Sequence, residues 1–417
     1  MSIPVTAARM WLTRGLSPFR FTPDYDQHLP LEGVDPLGLY VHIPFCRTLC
    51  SFCPYCKVAY EEELARAYVE GLLQEIHLVG QNWTGRRQAT SLYFGGGSPA
   101  LLSRRLGEII RALEEHFTIT DGIGVELHPR DVTVDTLYRL REAGVSRICV
   151  GVQSFQPLPL QSLGRERPDP GVLGKALAAV PFDTVSADFI FALPEQTFSH
   201  LRRDILLAEE MGANHLAFYP FIDFSFTPGP RQGLSGKEKW GLLKELTAFL
   251  RGRGYTRDSV WTFARTPGKG YSSMTRTHYL GLGCSAATLL GDQFKVNTFS
   301  IPAYLERISQ GKLPTALTCR FTQRQRMVYD LFWQAYTTRI SPRDFQDRFG
   351  RSLDGAYGLE LRAARLLCWL HREGEDWVVT DRGAFRFHLL EGYYTLAYID
   401  RMWGLMGREA FPAGMEL

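Results

Sequence analysis

The chain has 417 residues, of which 47 are Lys or Arg and 44 are Asp or Glu, giving a formal charge of +3. With 45% hydrophobic and 22% charged residues it has the composition of a globular protein, which excludes a disordered or fibrous chain. This length gives two or three domains, the small charge argues against a nucleic-acid or membrane surface, and no apolar run reaches the roughly 18 residues of a membrane helix.

Residues 1–37 are Pro-rich and irregular, acidic near Asp24 and Asp26, and show no apolar core or cleavage site of a signal peptide. A cytoplasmic, reducing compartment is therefore expected. A short apolar strand, a loop and an amphipathic helix then alternate. The predicted strands are Leu39–Ile43, Ser91–Phe94, Gly124–Leu127, Arg147–Val152, Val185–Phe191 and His215–Pro220. The predicted helices are Glu61–Gly80, Ser103–His116, Thr133–Ala143, Gly171–Ala179 and Phe198–Met211. Such alternation implies a parallel α/β sheet with right-handed crossovers. Six visible units point to a partial (β/α)6 barrel rather than a closed eightfold one, with its site at the carboxyl ends of the strands.

Residues 226–320 read as a less regular barrel extension, with helices at Gly236–Arg253 and Ile301–Gln310. Residues 321–417 read as a mainly helical C-terminal domain. Its Ser341–Trp377 segment (helix, turn, helix, then a β-like stretch) resembles a small winged-helix fold. The charges there are mixed, so a structural or substrate-covering role is expected over DNA binding. The division is thus an extension at 1–37, a core at 38–225, and these two regions.

Four of the eight cysteines, Cys46, Cys50, Cys53 and Cys56, fall within eleven residues directly after the first strand. A secreted disulfide protein would spread its cysteines, so a tight cluster reads as a metal or redox site. The C-x3-C-x2-C spacing of Cys46, Cys50 and Cys53 lets three thiolates hold three irons of a [4Fe–4S] cluster, leaving the fourth iron open. A structural zinc site would want four closed ligands, and Cys56 or His42 could supply the fourth. Cys149, Cys284, Cys319 and Cys368 stand singly in apolar or mixed surroundings and read as core or loop residues.

Polar and glycine residues recur at the following strand ends. The second ends in Phe94-Gly95-Gly96-Gly97-Ser98-Pro99, where glycines let the backbone pass close to a ligand or simply make a tight turn. The third carries Glu126 and His128, the fourth Gln153 followed by Arg165, and the fifth Asp188 in an otherwise apolar run. A buried lone carboxylate is costly without a partner. His128 could accept a proton or be a plain loop histidine.

The Tyr40-Val-His-Ile-Pro-Phe-Cys46 lead and the C-x3-C-x2-C spacing resemble the radical S-adenosylmethionine (SAM) superfamily, in its oxygen-independent coproporphyrinogen III oxidase-like branch. The resemblance runs from about Tyr40 to Phe224. It implies an enzyme with a [4Fe–4S] cluster on Cys46, Cys50 and Cys53, which cleaves SAM to a 5′-deoxyadenosyl radical. It implies SAM contacts from Tyr40, Phe52, Gly95, Gly96, Gly97, Glu126, Gln153, Arg165 and Asp188, with His128 and Cys56 as candidate catalytic residues. It also implies an external electron donor such as flavodoxin or ferredoxin and a small-molecule substrate, with no nucleic-acid or membrane partner.

Within that family, Cys56 lies three residues after the third ligand where an extra Cys two residues after is typical. His128 stands where Asp is usual. Both count against coproporphyrinogen oxidation. The stretch from Ser272 through Met274, Arg276 and His278 to Gly283 lacks an H-N-x-x-Y-W motif, which counts against a haem carrier. The favoured expectation is a class C-like methylase or cyclopropanase that uses two SAM molecules and donates one carbon to an sp2 carbon of a planar substrate. Phe218, Tyr219, Phe221, Phe224 and Phe226 would line its pocket. The alternatives are oxidative decarboxylation or other tetrapyrrole chemistry, a haem carrier, and a redox-sensing DNA-binding protein.

Overall fold

A computed structural model describes residues 3–23, 29–34, 36–229, 233–265 and 277–417. Asp24, Asp26 and the Ser272–Arg276 part of the motif stretch lie outside the described residues.

Six parallel strands lie side by side in chain order: β1 (Leu37–Ile43), β2 (Arg87–Gly96), β3 (Ile123–Leu127), β4 (Arg147–Gln153), β5 (Thr184–Phe191) and β6 (His215–Pro220). Their registers bring the carboxyl ends together, with Ile43 beside Gly96, Leu127 beside Val150, and Phe191 beside Pro220. The strands are near-continuous apolar runs because helices cover the sheet. In β1 only Tyr40 is not fully buried.

The crossover helices are α1 (Glu62–Gly80), α2 (Ser103–His116), α3 (Val134–Glu142), α4 (Pro170–Ala179) and α5 (Phe198–Glu210). Each buries one apolar stripe. In α2 that stripe is Leu106, Ile109, Ile110 and Leu113 at helical spacing. Thr133 and Asp169 fix two helix starts by accepting hydrogen bonds from first-turn backbone amides. The partial six-unit barrel expected from the sequence is therefore present.

The sheet runs on past both edges. On one side β7 (Thr262–Ala264) pairs antiparallel with β6. On the other, β8 (Tyr279–Leu282) joins β1 in parallel, and β9 (Ala287–Leu290), β10 (Gln293–Asn297) and β11 (Thr315–Arg320) follow antiparallel. The region between residues 226 and 320 is thus richer in strand than its Pro and Gly punctuation implied. Its strands are short, and they lack the long apolar runs that mark the barrel.

Helices α6 (Gly236–Gly252) and α7 (Ile301–Ser309) flank this extension. The C-terminal part contains α8 (Gln323–Tyr336), α9 (Pro342–Phe349) and α10 (Leu353–Leu366), then a three-stranded sheet of Arg339–Ile340, Leu370–Glu373 and Asp376–Val379. Met327, Ile340, Phe345, Leu353, Tyr357 and Trp377 give it a core of its own, as a winged-helix-like unit requires. Two last helices, α11 (Asp381–Tyr394) and α12 (Asp400–Met406), return to the barrel. In α11 the Glu391 carboxylate accepts the Trp261 indole N–H at 2.8 Å. Among the described residues no helix is long and apolar enough to cross a membrane.

Candidate functional site

The cysteine loop leaves β1 and is held at both ends. Phe45–Cys46 pairs in parallel with Val58–Ala59. The Val58 amide donates to the Pro44 carbonyl (2.7 Å) and the Tyr60 amide to that of Cys46 (2.9 Å). The turn after β2 clasps the same strand end, with Gly97 N–H on Ile43 O and Ser98 N–H on Phe45 O, both at 2.7 Å. Cys46, Cys50 and Cys53 are each half-buried. Burial, then Cys53 and Cys50, push the Cys46 thiol up to about 12. Burial also raises Cys53, against the pull of Lys57. The Arg165 guanidinium donates to the Cys50 sulfur at 3.4 Å and to the Gly151 carbonyl at 2.9 Å. Thiols that are costly to ionise alone, with two cations beside them, suit ligands whose charge a metal centre balances. Their sulfurs do not converge tightly enough to share one ion. That spread fits ligands on different irons of a cluster.

The glycines at the end of β2 answer to their neighbours. Gly96 has φ +110°, and a Cβ there would stand 2.4 Å from the His42 ring. A Cβ on Gly95 would press at 3.1 Å on both Tyr40 and Glu126. Glu126 in turn accepts the Gly96 amide at 3.2 Å. Asp131 does not stand out in the sequence. It is buried, and it accepts Ser98 Oγ–H at 2.6 Å and Arg47 Nε–H at 2.8 Å, tying the glycine turn to the cysteine loop. Its signal was the short Pro-Arg-Asp turn right after a strand end.

Two carboxylates face the same space from β3 and β5. Burial, then the charge of Asp188, raise Glu126 to about 7. Burial raises Asp188, partly offset by Cys149 and His215, and Ser186 Oγ–H donates to it at 3.1 Å. Two buried carboxylates that are both held above their ordinary range fit a cationic amine or ribose hydroxyls. At the end of β4, Gln153 sits at φ +66°, a conformation that disfavours side chains and marks a constrained position. The fully buried Asp204 fixes the next residues by accepting from Ser154 Oγ–H, the Phe155 amide and Gln156 Nε2–H at 2.8–2.9 Å.

His128 accepts the Arg130 amide on Nδ1 at 3.1 Å and so caps the following turn. Burial, then Arg165, hold its pKa down at about 4, so the ring is neutral. Phe52 packs on Leu163, Ile190, Leu193 and Phe221. Of the aromatics expected to line a pocket, Phe218 stacks on Phe189 in the core and Phe224 on Trp403, while Phe226 is exposed. Tyr40 OH lies 3.1 Å from His42 Nδ1. Cys56 turns away from the other three cysteines toward His42 and Cys284.

Comparison with known proteins agrees with this geometry. A sequence model of the Radical SAM superfamily matches residues 40–208. The heme chaperone HemW of Bacillus subtilis is 27% identical over 82% of this chain and 95% of its own length. The oxygen-independent coproporphyrinogen III oxidase of Escherichia coli is 27% identical over 70% of each chain. The crystal structure of that Escherichia coli enzyme, a radical SAM protein, superposes with a TM-score of 0.73 at 22% identity, covering 92% of this chain and 98% of that one.

These similarities overturn the expectation of a methylase or cyclopropanase. They point to coproporphyrinogen oxidases and a haem chaperone, over far more of the chain than the features that favoured methylation. A one-residue shift at Cys56 and a histidine at 128 change two side chains, not the fold that receives the substrate. The argument against haem carriage does not stand either, since the similarity to the heme chaperone HemW spans 82% of this chain.

Proposed function

We propose that the chain is a radical SAM enzyme that works with a [4Fe–4S] cluster and SAM and applies them to a tetrapyrrole, as an oxygen-independent coproporphyrinogen III oxidase does. When bound, the two cofactors supply reductive cleavage of SAM to methionine and a 5′-deoxyadenosyl radical that abstracts hydrogen from the substrate. Cys46, Cys50 and Cys53 would hold the cluster. Gly95, Gly96 and Gly97 would let SAM lie against the end of β2, with Tyr40 and Phe52 at its borders. Glu126 would meet its ammonium, Asp188 its ribose, and Gln153 and Arg165 its remaining polar atoms. A one-electron donor protein is required.

The observation that carries the substrate class is the cationic rim. Arg165, Arg130 and Arg47 all act on the His128 ring from around the barrel mouth. Arg47 and Arg130 are about half exposed and each pairs with a single carboxylate, so they keep donors for others. A substrate bearing several propionates matches such a rim. Each propionate oxidised would lose one hydrogen atom to the 5′-deoxyadenosyl radical, one electron to an external one-electron acceptor, and CO2, to become a vinyl group.

The test is anaerobic turnover with reductant, SAM and coproporphyrinogen III. Release of CO2 in step with methionine and 5′-deoxyadenosine is the expected result. Tight, stoichiometric haem binding with the porphyrinogen left intact would support the second reading, a haem chaperone, which the 95% coverage of HemW favours.

A further inference from the structure

Cys56 and Cys284 have no part in the reading above, yet they share a pocket with His42. We propose that His42, Cys56 and Cys284 form a second metal site, distinct from the cluster ligands Cys46, Cys50 and Cys53, for a single soft divalent ion of the zinc type.

Convergence is the first argument. One ligand atom from each residue lies within 4.8 Å of the other two, and no other trio of His, Cys, Asp or Glu among the described residues meets this condition. Cys46, Cys50 and Cys53 do not, although they are closer in sequence. The structure thus separates a spread trio, suited to a polynuclear cluster, from a tight trio suited to one ion.

Construction is the second. The ligands come from three places: His42 from β1, Cys56 from the end of the cysteine loop, and Cys284 from the turn after β8. The pairing of β8 with β1 brings the last to the first. Tyr68 then locks the two backbones, donating to the His42 carbonyl and accepting the Cys284 amide, each at 2.9 Å. The Cys284 turn is tightly bent, with Gly283 at φ +90° and Ser285 at +57°. A Cβ on Gly283 would meet Tyr68 Oη at 2.4 Å and the His42 carbonyl at 2.7 Å. The Gly283 amide is fixed on the buried Glu75 at 2.7 Å. Fixed backbones around adaptable side chains are what a metal site needs.

Chemistry is the third. Two thiolates and a neutral imidazole cancel the charge of a divalent ion, so the loaded site is neutral in a pocket where Cys284 is fully buried. Thiolate and imidazole donors select zinc over magnesium or calcium. The His42 nitrogens rest 3.1 Å from Tyr40 Oη and 2.9 Å from the Cys56 carbonyl. Binding exchanges one of these contacts for the ion, and the other orients the ring. Cys56 gives up its contact to the Phe299 carbonyl (3.2 Å) on losing its proton. Each thiol releases one proton to solvent, and no oxidant or reductant is involved.

The test uses the full chain carrying Cys46→Ser, Cys50→Ser and Cys53→Ser, titrated without oxygen with Co2+ as a spectroscopic probe and with Zn2+ in competition. About one equivalent of Co2+ should bind with thiolate-to-cobalt charge-transfer absorption, and adding Cys284→Ser or Cys56→Ser should weaken it at least ~100-fold. A titration without such a band, or a band indifferent to both substitutions, overturns the proposal. A second measurement covers failure of the triple variant to fold. In the reconstituted unaltered protein, zinc should remain after chelator treatment and vanish in Cys284→Ser while iron is kept. Full iron with no zinc overturns the proposal whether or not the tetrapyrrole reading holds.

Discussion

Asp131 shows how one buried side chain can hold a site together without touching the chemistry. Its two oxygens bind the glycine turn through Ser98 and the cysteine loop through Arg47. Asp131→Ala leaves the Ser98 hydroxyl without its buried acceptor, which costs about 2–3 kcal/mol. Urea denaturation should show that loss, and iron uptake on reconstitution should fall with it. Asp131→Asn keeps one acceptor and should recover much of both. The ligand assignment is tested at the same scale. Cys46→Ala, Cys50→Ala and Cys53→Ala should each abolish the iron–sulfur absorption, whereas Cys56→Ala should retain it. If Cys56→Ala alone loses the cluster, the assignment fails. The spacing of the triad was legible because it is local. The company of Cys56 was not, since Cys284 reaches it only through the pairing of two strands far apart in sequence.

The buried Glu75 does for whole elements what Asp131 does for loops. From α1 it accepts the Gly283 amide after β8 (2.7 Å), Tyr304 OH from α7 (2.8 Å) and Asn297 Nδ2–H from the end of β10 (3.4 Å). Burial lifts its pKa from the usual 4.5 to about 7 despite these bonds. The unfolded chain therefore releases this proton first, and between pH 4.5 and 7 the native state binds more protons. Stability contributed by the neutral acid is complete below pH 4.5 and lost as pH rises through 7, a change on the order of 3 kcal/mol. Glu75→Gln removes this term. Thermal melts of the variant should gain on the unaltered chain as pH goes from 5 to 8, and parallel curves would refute the argument. The barrel strands were readable because burial on both faces demands continuous apolar runs. Strands β8 to β11 were not, because such short segments become strands by joining an existing edge. Their anchor, Glu75, reads in sequence as one more polar residue on an amphipathic helix.

At the scale of the whole molecule the C-terminal part closes the barrel. The sequence indicated a covering unit but could not say what it touches, because contacts between distant elements leave no local pattern. Trp403 of α12 meets three parts of the site's surroundings at once. Its ring lies 5.5 Å from Tyr55 of the cysteine loop, 6.0 Å from Phe224 after β6 in a stacked arrangement, and 6.4 Å from Phe299 before α7. Asp400, on the same helix, accepts the Ser225 amide at 2.7 Å. Radical chemistry needs solvent and oxygen kept out, and a half-buried indole bridging the cysteine loop to the barrel wall is placed to do that. Trp403→Ala removes these contacts and should cost about 2 kcal/mol, below the range for a fully buried tryptophan. The sharper reading is kinetic. In air, the cluster absorption of the variant should bleach several-fold faster than that of the unaltered protein. During turnover, SAM cleavage should become less coupled to product. Trp403→Phe keeps a stacking ring over Phe224 and should restore most of the protection. If the alanine variant bleaches at the unaltered rate, α12 stabilises the fold but does not shield the site.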